Sequence, residues 1–195
     1  MRQAAVFQTP SQLEVTPVHK WEFILRTILV IDHHPLIGST CRLLLEATGI
    51  ANILEAHDEE SGYQSFLQHK PDVIITDLSL GGEKLDGLGL IELIRSQDPS
   101  AKILVFSMHS ELSFFLLAIE AGASGYLIKD SPTDELAKAV LQVGSGGRYI
   151  DSRLALRLTF RRNGLSNQER WALALMMEST PYASTAHERG ISGNA

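Results

Sequence analysis

Residues 27–150 alternate regularly between short apolar runs and longer segments of mixed polarity. The apolar runs are four or five residues long and rich in β-branched side chains, and the first, third and fourth contain few polar positions. Such runs are typical of parallel strands that are covered on both faces. The sequence therefore predicts five buried strands at residues 28–31, 52–56, 73–76, 103–106 and 125–128.

Amphipathic segments lie between and after these runs, with apolar residues three and four positions apart, as in helices that bury one face. They cover residues 36–48, 59–69, 87–97, 111–121 and 132–143. Five strand–helix repeats predict an α/β fold, an open doubly wound sheet with helices on both faces.

The regions on either side of this pattern differ in composition. Residues 1–26 are rich in Gln, Ser and Thr and contain Pro10 and Pro17, so we predict a flexible leader. The α/β domain is expected to span residues 27–145, because a glycine-rich stretch at 144–147 interrupts the pattern. Residues 146–164 are predicted to form a linker with a basic helix, and residues 165–195 a separate, short helical region.

The cysteine content and the hydropathy of the chain indicate the cellular compartment of the protein. Cys41 is the only cysteine, which excludes an intrachain disulfide and favours a reduced, cytoplasmic setting. We interpret it as a small buried hydrophobe in a helix, with a redox-sensitive thiol as the alternative. The apolar stretch 23–31 is interrupted by Arg26 and is shorter than the ~20 residues of a membrane-spanning helix, so no membrane segment and no signal peptide are predicted.

The net charge of −6 is unevenly distributed. Residues 27–150 contain 17 acidic and 8 basic side chains, whereas residues 151–195 contain 4 acidic side chains and 6 arginines. This distribution favours a cation-using domain followed by a segment with weak attraction for nucleic acid.

Reactive side chains follow the predicted strands, where an open α/β sheet binds its ligands. Asp32 and His33 follow the first strand, Asp77 the third, Ser107 the fourth and Lys129 the fifth. Phosphoryl transfer to a carboxylate requires a nucleophilic aspartate, a hard divalent cation and donors to the phosphoryl oxygens. Asp77 suits the first role, Asp32 the second, and Ser107 and Lys129 the third.

Several other chemistries are not supported. The loop 80–87 is rich in glycine, and its carbonyl groups could reach a cation, but it contains neither a dinucleotide-binding nor a P-loop motif. The stretch Asp77-Leu78-Ser79 lacks the second aspartate of Asp-x-Asp phosphatases. No general base is evident beside Asp77, which disfavours a phosphohydrolase.

Four motifs together resemble the receiver domain of NarL/FixJ-type response regulators. They are residues 28–32 with His34-Pro35, residues 71–78, Asp86-Gly87, and the characteristic Ala-Gly-Ala-Ser-Gly-Tyr-Leu-Ile-Lys-Asp block at 121–130. The resemblance implies a flavodoxin-like (CheY-like) five-stranded sheet in the order 2-1-3-4-5. It also implies a phosphoryl group received from a sensor histidine kinase, and Mg²⁺ as cofactor.

The resemblance assigns roles to single residues. Asp77 matches the phosphoacceptor, Lys129 the lysine of the site, and Ser107 and Tyr126 the switch pair that responds to phosphorylation. Asp32, Asp77 and the backbone carbonyl of Ser79 match the metal ligands. For Tyr126, the alternative is an edge-strand tyrosine that packs on the fourth helix.

His33 departs from the family pattern, which usually has a second acidic residue at this position. Mg²⁺ prefers oxygen ligands, and the substitution removes one negative charge beside Asp77. We therefore predict weaker Mg²⁺ binding and slower phosphorylation.

The resemblance also predicts surfaces for partners. The face formed by the fourth helix, fifth strand and fifth helix is the usual dimerisation surface, and Phe114 to Leu117 place apolar side chains there. They could instead belong to a well-covered core helix. Residues 165–170 and 182–192 resemble the start of a LuxR-type helix-turn-helix domain, of which the recognition helix is not present. No DNA-binding residues can be assigned, and sequence-specific DNA binding is not expected.

Two functions follow. One is a two-component response regulator of transcription with an incomplete helix-turn-helix region. The other is a receiver that acts through protein contacts, or as a phosphate sink, without binding DNA.

Overall fold

A computed structural model describes residues 25–50, 52–81, 86–160 and 166–177. Within these ranges the strands and helices alternate, as the hydrophobic pattern predicts. The strands are β1 (Thr27–Ile31), β2 (Asn52–Ala56), β3 (Val73–Thr76), β4 (Ile103–Ser107), β5 (Gly125–Ile128) and β6 (Tyr149–Ile150). The helices are α1 (Pro35–Glu46), α2 (Glu59–His69), α3 (Asp86–Gln97), α4 (Leu112–Ala121), α5 (Thr133–Gly144), α6 (Ser152–Phe160) and α7 (Asn167–Met177).

All strand pairs of the sheet are parallel, and the strand order is β2-β1-β3-β4-β5-β6. This order confirms the doubly wound, flavodoxin-like fold with its predicted arrangement of the first five strands. The sheet has a sixth strand, however, where five were expected. β6 is only two residues long and pairs with β5, so it is too short to give a recognisable apolar run.

Two cores flank the sheet, one on each face. Every residue of β3 is buried, as are four of the five residues of β1 and of β4, which explains why these three strands contain few polar positions. One core includes buried side chains of α3 and α4, and the other includes those of α1 and α5. Cys41 belongs to the second core, where burial raises the pKa of its thiol to about 12, which disfavours the redox-sensor alternative.

The basic helix predicted after residue 150 is part of the first core. Leu154 and Leu158 of α6 are fully buried, as is Ala172 of α7, and α7 packs against α4. The predicted domain boundaries stay predictions, but residues 149–160 extend the same sheet and core.

Two sequence predictions fall outside the described ranges: nearly all of the leader, and the helix-turn-helix resemblance at 182–192. No helix within the described ranges is long and apolar enough to span a membrane.

Candidate functional site

The carboxyl ends of β1, β3, β4 and β5 bring four predicted site residues to one edge of the sheet. Asp32 directly follows β1, Asp77 follows β3, Ser107 ends β4, and Lys129 follows β5. The backbone N–H of Asp77 donates to the carbonyl of Ile31 at 3.0 Å, and that of Lys129 donates to Ser107 at 2.8 Å. The hydrogen bonds between neighbouring strands therefore continue into the site and hold the backbone of these residues in place. We call Asp32, Asp77, Ser107 and Lys129 the aspartate pocket.

Lys129 joins the two carboxylates of the pocket. Its Nζ lies 2.5 Å from Asp32 Oδ2 and 2.7 Å from Asp77 Oδ2, and all three side chains are at most 5% exposed. Two carboxylates and one ammonium leave a net negative charge in a place that water barely reaches. A buried charge that is not balanced is costly, so the pocket attracts a further cation.

Ser107 lies in the same pocket with a buried hydroxyl. The residue is 1% exposed, and among the described residues its Oγ makes no hydrogen bond of normal geometry, only a weaker interaction with the phenol of Tyr126. A buried hydroxyl without a hydrogen bond of normal geometry carries a desolvation cost. It can recover that cost when a phosphoryl oxygen enters the pocket beside Asp77.

Tyr126 is fully buried on β5, with its ring edge-on to Phe115 at a centroid distance of 5.9 Å. Its hydroxyl donates to the backbone carbonyl of His109 at 2.9 Å. Burial, followed by the negative charge of Asp77, raises the pKa of Tyr126, so its phenol stays protonated and remains a donor. Tyr126 packs on α4, and its hydroxyl also holds the β4–α4 loop, residues 108–111.

Candidate cation ligands gather beside the two carboxylates. Asp32, His33, His34 and Asp77 each offer a ligand atom, and these four atoms lie within 4.8 Å of one another. The carboxylate oxygens fit Mg²⁺, whereas the two imidazoles are nitrogen donors that Mg²⁺ uses poorly. Sequence reasoning identified His33 but missed His34, although His34 directly follows it.

The remaining predicted metal ligand is the carbonyl of Ser79, whose role stays a prediction. The Ser79 hydroxyl lies 3.3 Å from Nε2 of His109, and the His109 ring packs against Phe114 at a centroid distance of 4.1 Å, with the rings tilted by 31°. His109 was not identified from the sequence, although it follows β4 by only two positions. Residues 82–85 of the glycine-rich loop lie outside the described ranges.

Because residue 87 is a glycine, the start of α3 can lie against the backbone of Asp77, the candidate phosphoacceptor. A Cβ atom at this position would lie 2.1 Å from the carbonyl oxygen of Asp77 and 2.8 Å from Cα of Leu78. The Gly87 N–H also donates to the Leu78 carbonyl at 3.0 Å. The Asp86-Gly87 motif thus has a steric basis, because no side chain fits there.

Two arginines of α6 connect this edge of the sheet with the C-terminal helices. Arg157 donates to the carbonyl of Ser110 in the β4–α4 loop at 2.6 Å. Arg153, one helical turn earlier, pairs with Asp130, the residue after Lys129, at 2.6 Å, and also donates to Ser131. No sequence pattern indicated these contacts, because they depend on where α6 packs.

Comparisons with known proteins show the family to which this chain belongs. Residues 28–141 match the family model of the response regulator receiver domain. The chain is 34% identical over 173 residues to the methanol utilization control regulatory protein MoxX of Paracoccus denitrificans, covering 85% of this chain and 78% of MoxX.

It is 32% identical to the nitrate/nitrite response regulator NarL of Escherichia coli K12, over 80% of this chain and 76% of NarL. A crystal structure of a LuxR-family two-component response regulator from Aurantimonas superposes with a TM-score of 0.65 at 34% identity, over 70% of this chain and 97% of that one. This chain belongs to the response regulators, and residues 28–141 form its receiver domain.

Proposed function

We propose that this response regulator is switched by phosphorylation of Asp77, with a sensor histidine kinase as the phosphodonor. In the transfer, an Asp77 oxygen forms a bond to phosphorus while the phosphorus–nitrogen bond of the donor phosphohistidine breaks. The observation that carries the proposal is Lys129 Nζ bridging Asp32 and Asp77 beside the buried hydroxyl of Ser107, which makes no hydrogen bond of normal geometry within the described residues.

Each pocket residue has a task in this proposal. The ammonium of Lys129 and the hydroxyl of Ser107 donate hydrogen bonds to the phosphoryl oxygens once Asp77 is modified. Asp32, with Asp77 and the backbone carbonyl of Ser79, would hold Mg²⁺, which offsets the negative charge of the incoming group. His33 supplies no carboxylate, so we expect weaker Mg²⁺ binding than in a pocket with two adjacent acids.

We propose that the switch acts through the β4–α4 loop. Tyr126 is already buried, so a large rotation of its ring is not needed. When Ser107 turns to a phosphoryl oxygen, the end of β4 shifts, and with it the His109 carbonyl that Tyr126 binds. The next residue, Ser110, is held by Arg157, so the shift is passed to α6.

The output is regulation of transcription, and we propose a dimer as its active form. The predicted dimer face includes α4, but α7 packs against α4, and Gln168 of α7 donates to Glu120 of α4 at 2.9 Å. Dimerisation through this face therefore requires α7 to move. An electrophoretic shift assay with promoter fragments, with and without phosphodonor, distinguishes a DNA-binding output from one that uses protein contacts alone.

Labelling with acetyl phosphate tests the central proposal. We expect intact-mass analysis to show one added phosphoryl group on the wild-type chain and none on Asp77→Asn. Asp134→Asn is the matched control, because Asp134 is exposed on α5, and it should label as the wild type does. Labelling of Asp77→Asn at the wild-type level would overturn the proposal.

A further inference from the structure

The donor atoms beside Asp77 are not those of an all-oxygen magnesium site. Two consecutive histidines stand with the two aspartates in one cluster, and the two imidazole rings lie 3.7 Å apart between centroids. Mg²⁺ demands near-octahedral oxygen coordination, whereas imidazole nitrogen suits Zn²⁺, Ni²⁺ and Co²⁺. Half of the potential ligands therefore favour a different class of metal.

The lysine of the pocket contacts only one oxygen of each carboxylate. Lys129 contacts Oδ2 of both aspartates. The other oxygen of Asp32, Oδ1, accepts the backbone N–H of His34 at 2.9 Å and lies 3.4 Å from His34 Nδ1. The cluster can therefore combine oxygen and nitrogen donors without displacing Lys129 from the carboxylates.

A second observation concerns His33. Its Nδ1 is buried but has no hydrogen-bond partner in the described part of the chain. A ring nitrogen shielded from water without a partner carries a desolvation cost that a metal ion removes. The structural alternative, a histidine that is satisfied by its neighbours, does not account for this atom.

We propose that Asp32, His33, His34 and Asp77 select a nitrogen-accepting divalent transition metal, such as Co²⁺, Ni²⁺ or Zn²⁺, over Mg²⁺. The proposal rests on the proposed function only in placing the cation beside the phosphoacceptor. Metal selectivity itself is measured without a phosphodonor, so the two proposals can fail separately. Labelling of Asp77 in the presence of Mg²⁺ would support the proposed function. If the metal selectivity then did not depend on the histidines, only the proposal of metal selectivity would fail.

The experiment compares Co²⁺ and Mg²⁺ binding to the full chain by titration calorimetry, with the visible absorption of Co²⁺ as a second readout. His33→Phe keeps an aromatic ring but removes both nitrogens. Loss of even an outer-shell partner costs 10–100-fold in metal affinity, so this variant should lose about tenfold or more in Co²⁺ affinity. Its Mg²⁺ affinity should change much less. His34→Asn should also weaken Co²⁺ binding and alter the absorption spectrum.

Two further variants make the result decisive. His33→Asp replaces the nitrogen donor with a carboxylate, so it should raise Mg²⁺ affinity and lower the ratio of Co²⁺ to Mg²⁺ affinity about tenfold or more. His69→Asn, at an exposed histidine at the end of α2, should leave both affinities unchanged. An unchanged ratio in His33→Phe and His33→Asp, with both variants folded, would overturn the proposal.

Discussion

The aspartate pocket and the C-terminal helices α6 and α7 are assembled in different ways. The pocket is built from residues that follow consecutive buried strands, and strand pairing alone brings them together. The helices reach their place through packing: Leu154, Leu158 and Ala172 enter a core formed mainly by earlier parts of the chain. The pocket is therefore a property of the sheet, whereas the placement of the C-terminal helices depends on long-range contacts.

The largest effect is expected where the C-terminal helix α6 enters the core. Leu158→Ala removes a fully buried side chain from α6 and should lower the free energy of unfolding by about 2–5 kcal/mol. Leu156 lies on the same helix but is 57% exposed, so Leu156→Ala should change stability by about 0.5 kcal/mol or less. Urea unfolding of both variants measures the difference. Equal losses would mean that α6 is not anchored in the core.

The next largest effect is expected at Gly87, where α3 lies close to the backbone of the aspartate pocket. Gly87→Ala places a Cβ against the Asp77 carbonyl, which should cost about 1–3 kcal/mol of stability. Displacement of Asp77 should also slow labelling by acetyl phosphate about tenfold to a hundredfold. Gly89→Ala is the matched control, since the nearest atom to its Cβ would be Glu59 Oε1 at 3.9 Å. If both variants label at the wild-type rate, the steric account of Gly87 is wrong.

Asp151 connects the sheet edge that holds the pocket with α6, and it makes the free energy of unfolding depend on pH. Burial would raise the pKa of Asp151, but hydrogen bonds from Ser131, Arg153 and Ile128 outweigh it and lower the pKa. A lowered pKa in the folded state stabilises the protein above the unfolded value of about 4, and that contribution is lost as the pH falls through the folded value.

Asp151→Asn should therefore cost about 1–2 kcal/mol at neutral pH, and the difference from the wild type should shrink as the pH falls below about 4. Denaturant unfolding at a series of pH values measures this. Asp130→Asn is the control, because Asp130 is mainly exposed and its pair with Arg153 should contribute little. A difference that grows on acidification would contradict the assignment.

The smallest change in stability is expected at the contact that links the regions. Arg157→Gln should alter the free energy of unfolding by less than about 1 kcal/mol, because its hydrogen bond to Ser110 is exposed. It should nevertheless speed amide hydrogen exchange in the β4–α4 loop, which loses one of its tethers. Arg170→Gln, at an exposed arginine of α7, should leave that exchange unchanged. Unchanged exchange in Arg157→Gln would argue against transmission through α6.

The residues of the pocket could be predicted from the sequence because each of them lies directly at the end of an apolar run. Each strand is an apolar run, and the residue after the run is at the reactive edge, so Asp32, Asp77, Ser107 and Lys129 could be found by position alone. His34 and His109 follow the same rule one or two positions further on. Both could have been identified by including the first residues of each loop.

The rest could not be predicted because its determinants are distant in sequence. The apolar spacing of Leu154 and Leu158 predicts a helix with a buried face, but not which surface covers that face. The contact between Arg157 and Ser110 depends on that choice of surface. β6 is too short to give any periodicity, and it is recognised only by its pairing with β5.

The sixth strand also determines how this receiver could acquire a different output. When output modules are exchanged between regulators, the two chains are joined at one position. The receiver from one protein and the output module from the other must each keep its fold on its side of that position. A junction in the glycine-rich stretch 144–147 would transfer β6 and α6 with the output, leaving the β5 edge unpaired and removing Leu154 and Leu158 from the core. A junction after Phe160 keeps both elements with the receiver. Recombinants of the second kind should yield more folded protein than those of the first.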